Sequence, residues 1–457
     1  MNTRMCWIAG AALALGLSVG PVATAAPAAP AASKPAKAPA RAAKPARGAT
    51  RAGRLPFDTE GAPIYLVGAE VRTGDGRRIA GAVIELRGTR IAAVGTLAAT
   101  TIPAGAKTID LTGKVITPGI VAVDSALGLV EIDAEGSTKD DSVAIADPIR
   151  AAYDASSAIN ADSALLPVNA IEGVTSAAVT PKGGLVSGQV AWIDLVHGDT
   201  RTIVADDEVA MRVNLGQTVA GSRAATWLRL QELFADAEFY RTHRAAYDRA
   251  QSRDLSAHRL DLEALAPYVA GQAPLVIGAD RITDLRLLVA LAKGGAKVVA
   301  LGGTQAWRIA DELAAAKIPV VVQPSQNLPE SMDEMGARLD NAALLAAAGV
   351  EVGIAVFGDA HNPRNVTQEA GLAISYGLDP ELALAAITAV PARAYGMDAH
   401  YGTIAPGKVA NLVVWDGDPF ELSQRPRAVW IRGRAIPMRS RQTELRDRYL
   451  PRIRGER

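Results

Sequence analysis

The chain has 457 residues, 49% of them hydrophobic and 4% aromatic, with 48 basic and 48 acidic residues. At roughly 100–200 residues per domain this is enough for two or three domains, or for one large α/β barrel with an accessory sheet, and it excludes a wholly disordered chain. Residues 1–54 hold eight of the basic groups and no acid, leaving 40 basic against 48 acidic residues in 55–457. Such an acidic body excludes nucleic acid as an expected partner, and the single cysteine, Cys6, excludes disulfides and thiolate metal sites.

Residues 1–25 read as a signal peptide: Arg4 is followed by an apolar run from Cys6 to about Val19, then by small residues at Ala23-Thr24-Ala25. Export to the bacterial periplasm, with no stable membrane insertion after cleavage, is the expectation. Residues 26–55 are almost wholly Ala, Pro, Lys, Arg and Gly and read as a flexible cationic linker. Folded structure is expected from Pro56. Ile64–Val67, Ala82–Leu86 and Ile91–Val94 are short β-branched runs separated by Gly74-Asp75-Gly76 and Gly88-Thr89-Arg90, which predicts a small antiparallel sheet over 56–115. A second set, Asn411–Trp415 and Ala428–Ile431, falls in 405–437. Neither set is large enough to stand alone, so both ends of the chain are expected to join in one β-sandwich.

The pattern changes between them. Val115–Thr117, Val174–Val179, Leu275–Ile277, Lys297–Leu301, Pro319–Val322 and Val352–Val356 read as buried strands alternating with helical stretches. Continuous apolar strands between amphipathic helices predict a parallel sheet covered on both faces. Repeated across 116–404, they predict a (β/α)8 TIM-like barrel, an α/β fold, with a helical insertion at about 220–255. Residues 438–457 form a basic tail that reads as a surface helix.

Gly113–Val121 (GKVITPGIV) and Gly402–Trp415 (GTIAPGKVANLVVW) resemble the two junctions between barrel and sandwich in the amidohydrolase superfamily. Pro391–Gly396 resembles the preceding helix of its imidazolonepropionase-like members. The likeness runs from about 60 to 435. It implies hydrolysis of C–N bonds in amides, cyclic amides or peptides by one or two metal ions at the barrel mouth. Such a metal needs imidazole and carboxylate ligands in order to lower the pKa of bound water to about 7. At the positions where the resemblance implies histidine ligands, this chain has Asp124, Ala126, Gly278 and Gly302. The bridging residue of strand four corresponds to Asp194, and the strand-eight aspartate to Asp359.

Only five histidines exist: His197, His243, His258, His361 and His400. His243 and His258 lie in or beside the helical insertion, and His400 belongs near the sandwich. His197 sits in a turn. His361 follows Asp359 at the face where βα loops gather, so Asp359 and His361 are the candidate catalytic pair, with an Asx-turn before a helix as the structural alternative. Asp124, Asp194 and Asp280 are the candidate binding carboxylates.

Two readings follow. The first is a pseudoenzyme that binds a small molecule or peptide at the mouth, with no metal, and that self-associates or serves a catalytically complete paralogue. The second is a divergent hydrolase holding one divalent metal ion through Asp124, Asp194, Asp359 and His361, an oxygen-rich set suited to Mg²⁺, Mn²⁺ or Ca²⁺. Restoring histidine at 124, 126, 278 and 302 together is expected to create zinc affinity.

Overall fold

A computed structural model describes residues 61–142 and 148–455; the expected signal peptide, 1–25, and linker, 26–55, lie outside them. The chain enters through β1 (Ile64–Arg72), β2 (Arg78–Arg87), β3 (Arg90–Thr96), β4 (Lys107–Asp110) and β5 (Val115–Pro118). It returns at the end through β14 (Leu412–Trp415), β15 (Pro426–Ile431) and β16 (Arg434–Ala435). These strands form one sheet in the order β16-β15-β14-β5-β1-β2-β3, with β4 also paired to β1. Both chain ends meet where β14 runs antiparallel to β5, Leu412 opposite Pro118 and Trp415 opposite Val115. Leu66, Val71, Ile84, Ile116, Leu412 and Trp430 fill its core. Val115–Thr117 therefore belongs with the sandwich strands and not with the barrel, and barrel strand one begins after Gly119. A side chain at Gly119 would put its Cβ 2.0 Å from Thr175 Oγ1, so only glycine lets the chain turn there.

The second sheet contains β6 (Ile120–Ser125), β7 (Val174–Val179), β8 (Val186–Asp194), β9 (Val204–Asn214), β10 (Pro274–Ala279), β11 (Lys297–Gly302), β12 (Val320–Val322) and β13 (Val352–Ile354) in sequential order. It curls into a barrel, closed where Gly358 N–H donates to Asp124 O at 2.8 Å and Ala126 N–H to Asp359 O at 3.1 Å. The helices are α1 (Leu165–Ala170), α2 (Gln217–Ala220), α3 (Arg223–Asp248), α4 (Arg259–Val269), α5 (Ile282–Lys293), α6 (Ala310–Ala315), α7 (Asn341–Ala347), α8 (Val366–Ser375), α9 (Pro380–Ala386), α10 (Ala389–Ala394) and α11 (Arg441–Ile453). The insertion is the long helix α3 paired with α4, anchored by Leu230, Leu233, Ala237 and Tyr240, and its backbone leaves helical geometry at His243.

One strand departs from the expected all-parallel barrel. β8 runs antiparallel to both β7 and β9, with Ser176 opposite Asp194 and Val179 opposite Ala191. No helix separates these three strands, so short connections reverse the chain where a crossover helix would have kept it parallel. The parallel strands alternate cleanly. Val121, Val123, Ala178, Val276, Val299, Leu301, Val321 and Ala355 face the barrel axis, and Tyr395, Met397 and Tyr401 plug it from below. Ile120, Leu275, Ile277, Ala300, Val320 and Ile354 face the helices. Among the described residues no helix is long and apolar enough to cross a membrane.

Candidate functional site at the barrel mouth

The mouth is set by the C-terminal ends of the parallel strands. Asp124, near the end of β6, has φ +52°, a left-handed conformation that breaks the strand alternation where the register to β7 also shifts. Its carboxylate lies 3.3 Å from Arg212 Nε, with side-chain exposures of 11% for Asp124 and 14% for Arg212. Arg212 rises from the inward face of β9, and its Nη1 donates to the Val213 carbonyl at 2.8 Å. Gly278 faces it from β10: a Cβ there would stand 3.1 Å from Arg212 Nη1 and 3.2 Å from Nη2. The missing side chain at 278 is the space the guanidinium fills. Burial pushes the Asp124 carboxyl above its ordinary pKa, with Arg212 and Lys182 pulling the other way.

The next ring carries further polar groups. Lys182, in the loop after β7, pairs with the buried Asp141 at 3.3 Å, and a Cβ on Gly358 would be 3.4 Å from its Cε. Asp280 follows β10 and accepts from Thr304 Oγ1 at 2.7 Å and Thr304 N at 3.2 Å. Burial outweighs these bonds and raises its pKa. Asp280 also fills the room beside Gly302, where a Cβ would fall 2.6 Å from Asp280 Oδ1 on a backbone with φ +97°. After β12, Gln323 reaches across to Glu369 at 3.1 Å, while its Oε1 accepts from Phe357 N at 2.9 Å.

Asp359 is committed to its own loop. Its carboxylate accepts from His361 N at 2.5 Å, Asn362 N at 3.1 Å and Asn362 Nδ2 at 2.8 Å. Burial works against the charged form, but these bonds hold its pKa below the usual carboxylate range. This is the Asx-type turn that precedes Pro363 and α8.

Asp194 does not join the mouth. Because β8 is reversed, its C-terminal end lies at the barrel floor. There Asp194 is fully buried and accepts from Ser176 Oγ at 2.8 Å, Tyr401 Oη at 3.0 Å, Asn411 Nδ2 at 3.0 Å and Arg432 Nε at 2.6 Å. It ties the barrel floor to the sandwich. The expected ligand set of Asp124, Asp194, Asp359 and His361 is therefore not assembled, and Ala126 packs into the apolar layer between strands and helices. Among the described residues no three His, Cys, Asp or Glu side chains stand close enough to hold a metal ion. The residues present do not fit the metal centre that the resemblance implies, because a fixed guanidinium already occupies the space between positions 124 and 278.

Sequence reasoning missed Arg212, Gln323 and Asn327. Arg212 carried a signal: an arginine within an apolar strand, Val209-Ala210-Met211-Arg212-Val213, demands a buried partner.

A barrel joined to a two-ended sheet in this way has a clear set of relatives. Residues 270–436 match the family model described as the amidohydrolase family. A crystal structure of an amidohydrolase from Thermotoga maritima superposes with a TM-score of 0.73 at 25% identity, covering 82% of this chain and 100% of that one. Molinate hydrolase, at a TM-score of 0.52 and 15% identity over 83% of this chain and 95% of its own, shares the fold alone. Locally, amidohydrolase tasK of Hapsidospora irregularis is 42% identical over 74 residues, 16% of this chain and 8% of tasK. Imidazolonepropionase of Klebsiella pneumoniae is 44% identical over 54 residues, 12% of this chain and 13% of that enzyme. The chain thus spans well under a fifth of the length of either curated relative it matches. Over residues 270–436 it matches the amidohydrolase family, and its fold is the one that structures of the amidohydrolase superfamily share.

Proposed function

We propose that this protein is an exported amidohydrolase-fold member that binds a small molecule or peptide at its barrel mouth without the metal-assisted hydrolysis of its superfamily. One observation carries the reading: the Arg212 guanidinium, paired with Asp124 and packed over Gly278, stands where the metal centre would be built. A guanidinium supplies positive charge and directional donors, but it has no open coordination position and cannot lower the pKa of a bound water to about 7. A fixed cation also repels a divalent ion from the same space. Asp359, spent on its turn, supports the same reading. Service to a catalytically complete paralogue, or self-association, is the corresponding cellular role.

A second reading, metal-independent hydrolysis with Asp124 as general base, has one observation in its favour: Asp124 stands at the mouth, where burial raises its carboxyl above the ordinary value. The test is turnover of a panel of amides, cyclic amides and dipeptides by the purified full-length protein, with and without Zn²⁺ or Mn²⁺. The binding reading expects no turnover in either condition. Metal-stimulated turnover overturns it, and metal-independent turnover abolished by Asp124→Asn establishes the second.

A further inference from the structure

A cavity of about 160 Å³ opens at the ends of β10 to β13. That is far above the ~10–15 Å³ one water needs and well below the ~300–1,000 Å³ of a drug-sized site, so its guest is small. Asp280, Glu330 and Glu334 give it three carboxylates, Gln323 and Asn327 give it amides, and Phe357 closes it with an aromatic ring. No lysine, arginine or histidine is among the lining residues. Glu334 is held in place by the backbone N–H groups of Glu330 at 3.2 Å and Ser331 at 3.1 Å. Gln323 is likewise spent on Glu369 and Phe357. Asn327 is different. It is 2% exposed, and its Nδ2 is buried with no hydrogen-bond partner among the described residues. A buried unmade donor costs about 1–3 kcal/mol, which an acceptor atom on a guest would recover.

We infer that this cavity binds a small primary ammonium compound that also carries a carbonyl or hydroxyl oxygen, its cation among Asp280, Glu330 and Glu334 and its oxygen accepting from Asn327 Nδ2. Charge complementarity selects a cation. A metal ion fits less well, since these carboxylates do not converge closely enough to ligate one together. The inference rests on the mouth being a binding site, and it stands whether or not residual catalysis is found.

The test is calorimetric titration of the full-length protein with glycinamide, which has both groups, with propionamide, which lacks the ammonium, and with Ca²⁺ alone. Saturable binding of glycinamide is expected, about ten- to hundredfold tighter than propionamide, the scale of one charge-assisted hydrogen bond. Glu330 is exposed, so Glu330→Gln folds normally and is expected to weaken glycinamide about tenfold. Asn327→Leu, which removes the unpaired donor, is expected to weaken glycinamide about tenfold. Absence of glycinamide binding, equal binding of propionamide, or saturable Ca²⁺ binding that displaces glycinamide would overturn the inference. Turnover in the amide panel without these effects would refute the functional proposal instead, so the two failures are distinguishable.

Discussion

Removing Asp124 tests how the mouth is held together. In Asp124→Ala the Arg212 guanidinium, 14% exposed, keeps the Val213 carbonyl as an acceptor but loses its counter-charge 3.3 Å away. Breaking a buried pair from one side costs about 3–5 kcal/mol, and because each partner is only slightly exposed, little solvent screening reduces that figure. The same desolvation that raises the Asp124 pKa makes the intact pair poorly rewarded. Replacing both groups, Asp124→Ala with Arg212→Met, is therefore expected to cost less than the sum of the two single changes, because no uncompensated buried charge remains. Urea denaturation of the wild type, both single variants and the double variant closes the cycle. The expected coupling exceeds ~2 kcal/mol. Single-variant costs that add to within ~0.5 kcal/mol would mean the two groups do not act as a pair, and the description of the mouth would be wrong.

Three further outcomes follow from the same structure. Asp194→Asn strips the charge that Arg432 needs at the barrel floor, where both are buried, and should cost about 3–5 kcal/mol in chemical denaturation while leaving glycinamide affinity unchanged. Histidines placed at 124, 126, 278 and 302 should fail to bind zinc, contrary to the simple sequence expectation. A side chain at 278 meets Arg212, one at 302 meets Asp280 on a strained backbone, and one at 126 points into the apolar layer. Zinc titration of that quadruple variant is the check, and affinity comparable to an intact family site would refute the packing argument. Asp359, its pKa held below the ordinary value by Asn362 and the His361 amide, stabilises the fold above the unfolded carboxylate pKa, and that contribution fades as pH falls through its folded value. Asn362→Ala should move the Asp359 titration upward by NMR and weaken the protein at neutral pH. No upward movement would show that these bonds are not the cause.

Much of the scaffold was readable from the residues. The GKVITPGIV and GTIAPGKVANLVVW segments marked both junctions through their resemblance to the amidohydrolase superfamily, although Val115–Thr117 proved to pair in the terminal sheet and not in the barrel. The antiparallel strand β8 was not legible. Its residues are buried on both faces, so the run shows no alternation that would reveal its direction. That reversal is why Asp194 went from the mouth to the floor. The absence of imidazole at positions 124, 126, 278 and 302 was plain in the sequence, but what replaced it was not. Arg212 lies 88 positions from Asp124 and 66 from Gly278, and only the barrel's closure brings the three together. Asn327 gave no local signal, since a loop asparagine reads first as a turn residue.

The claim that a guanidinium has taken the place of the metal is tested most directly by elemental analysis. The full-length protein would be purified after growth in medium supplemented with zinc and manganese, and its metal content measured per chain. The account predicts metal far below one equivalent and a melting temperature indifferent to chelator. One tightly held divalent ion per chain, with loss of thermal stability on its removal, would contradict it.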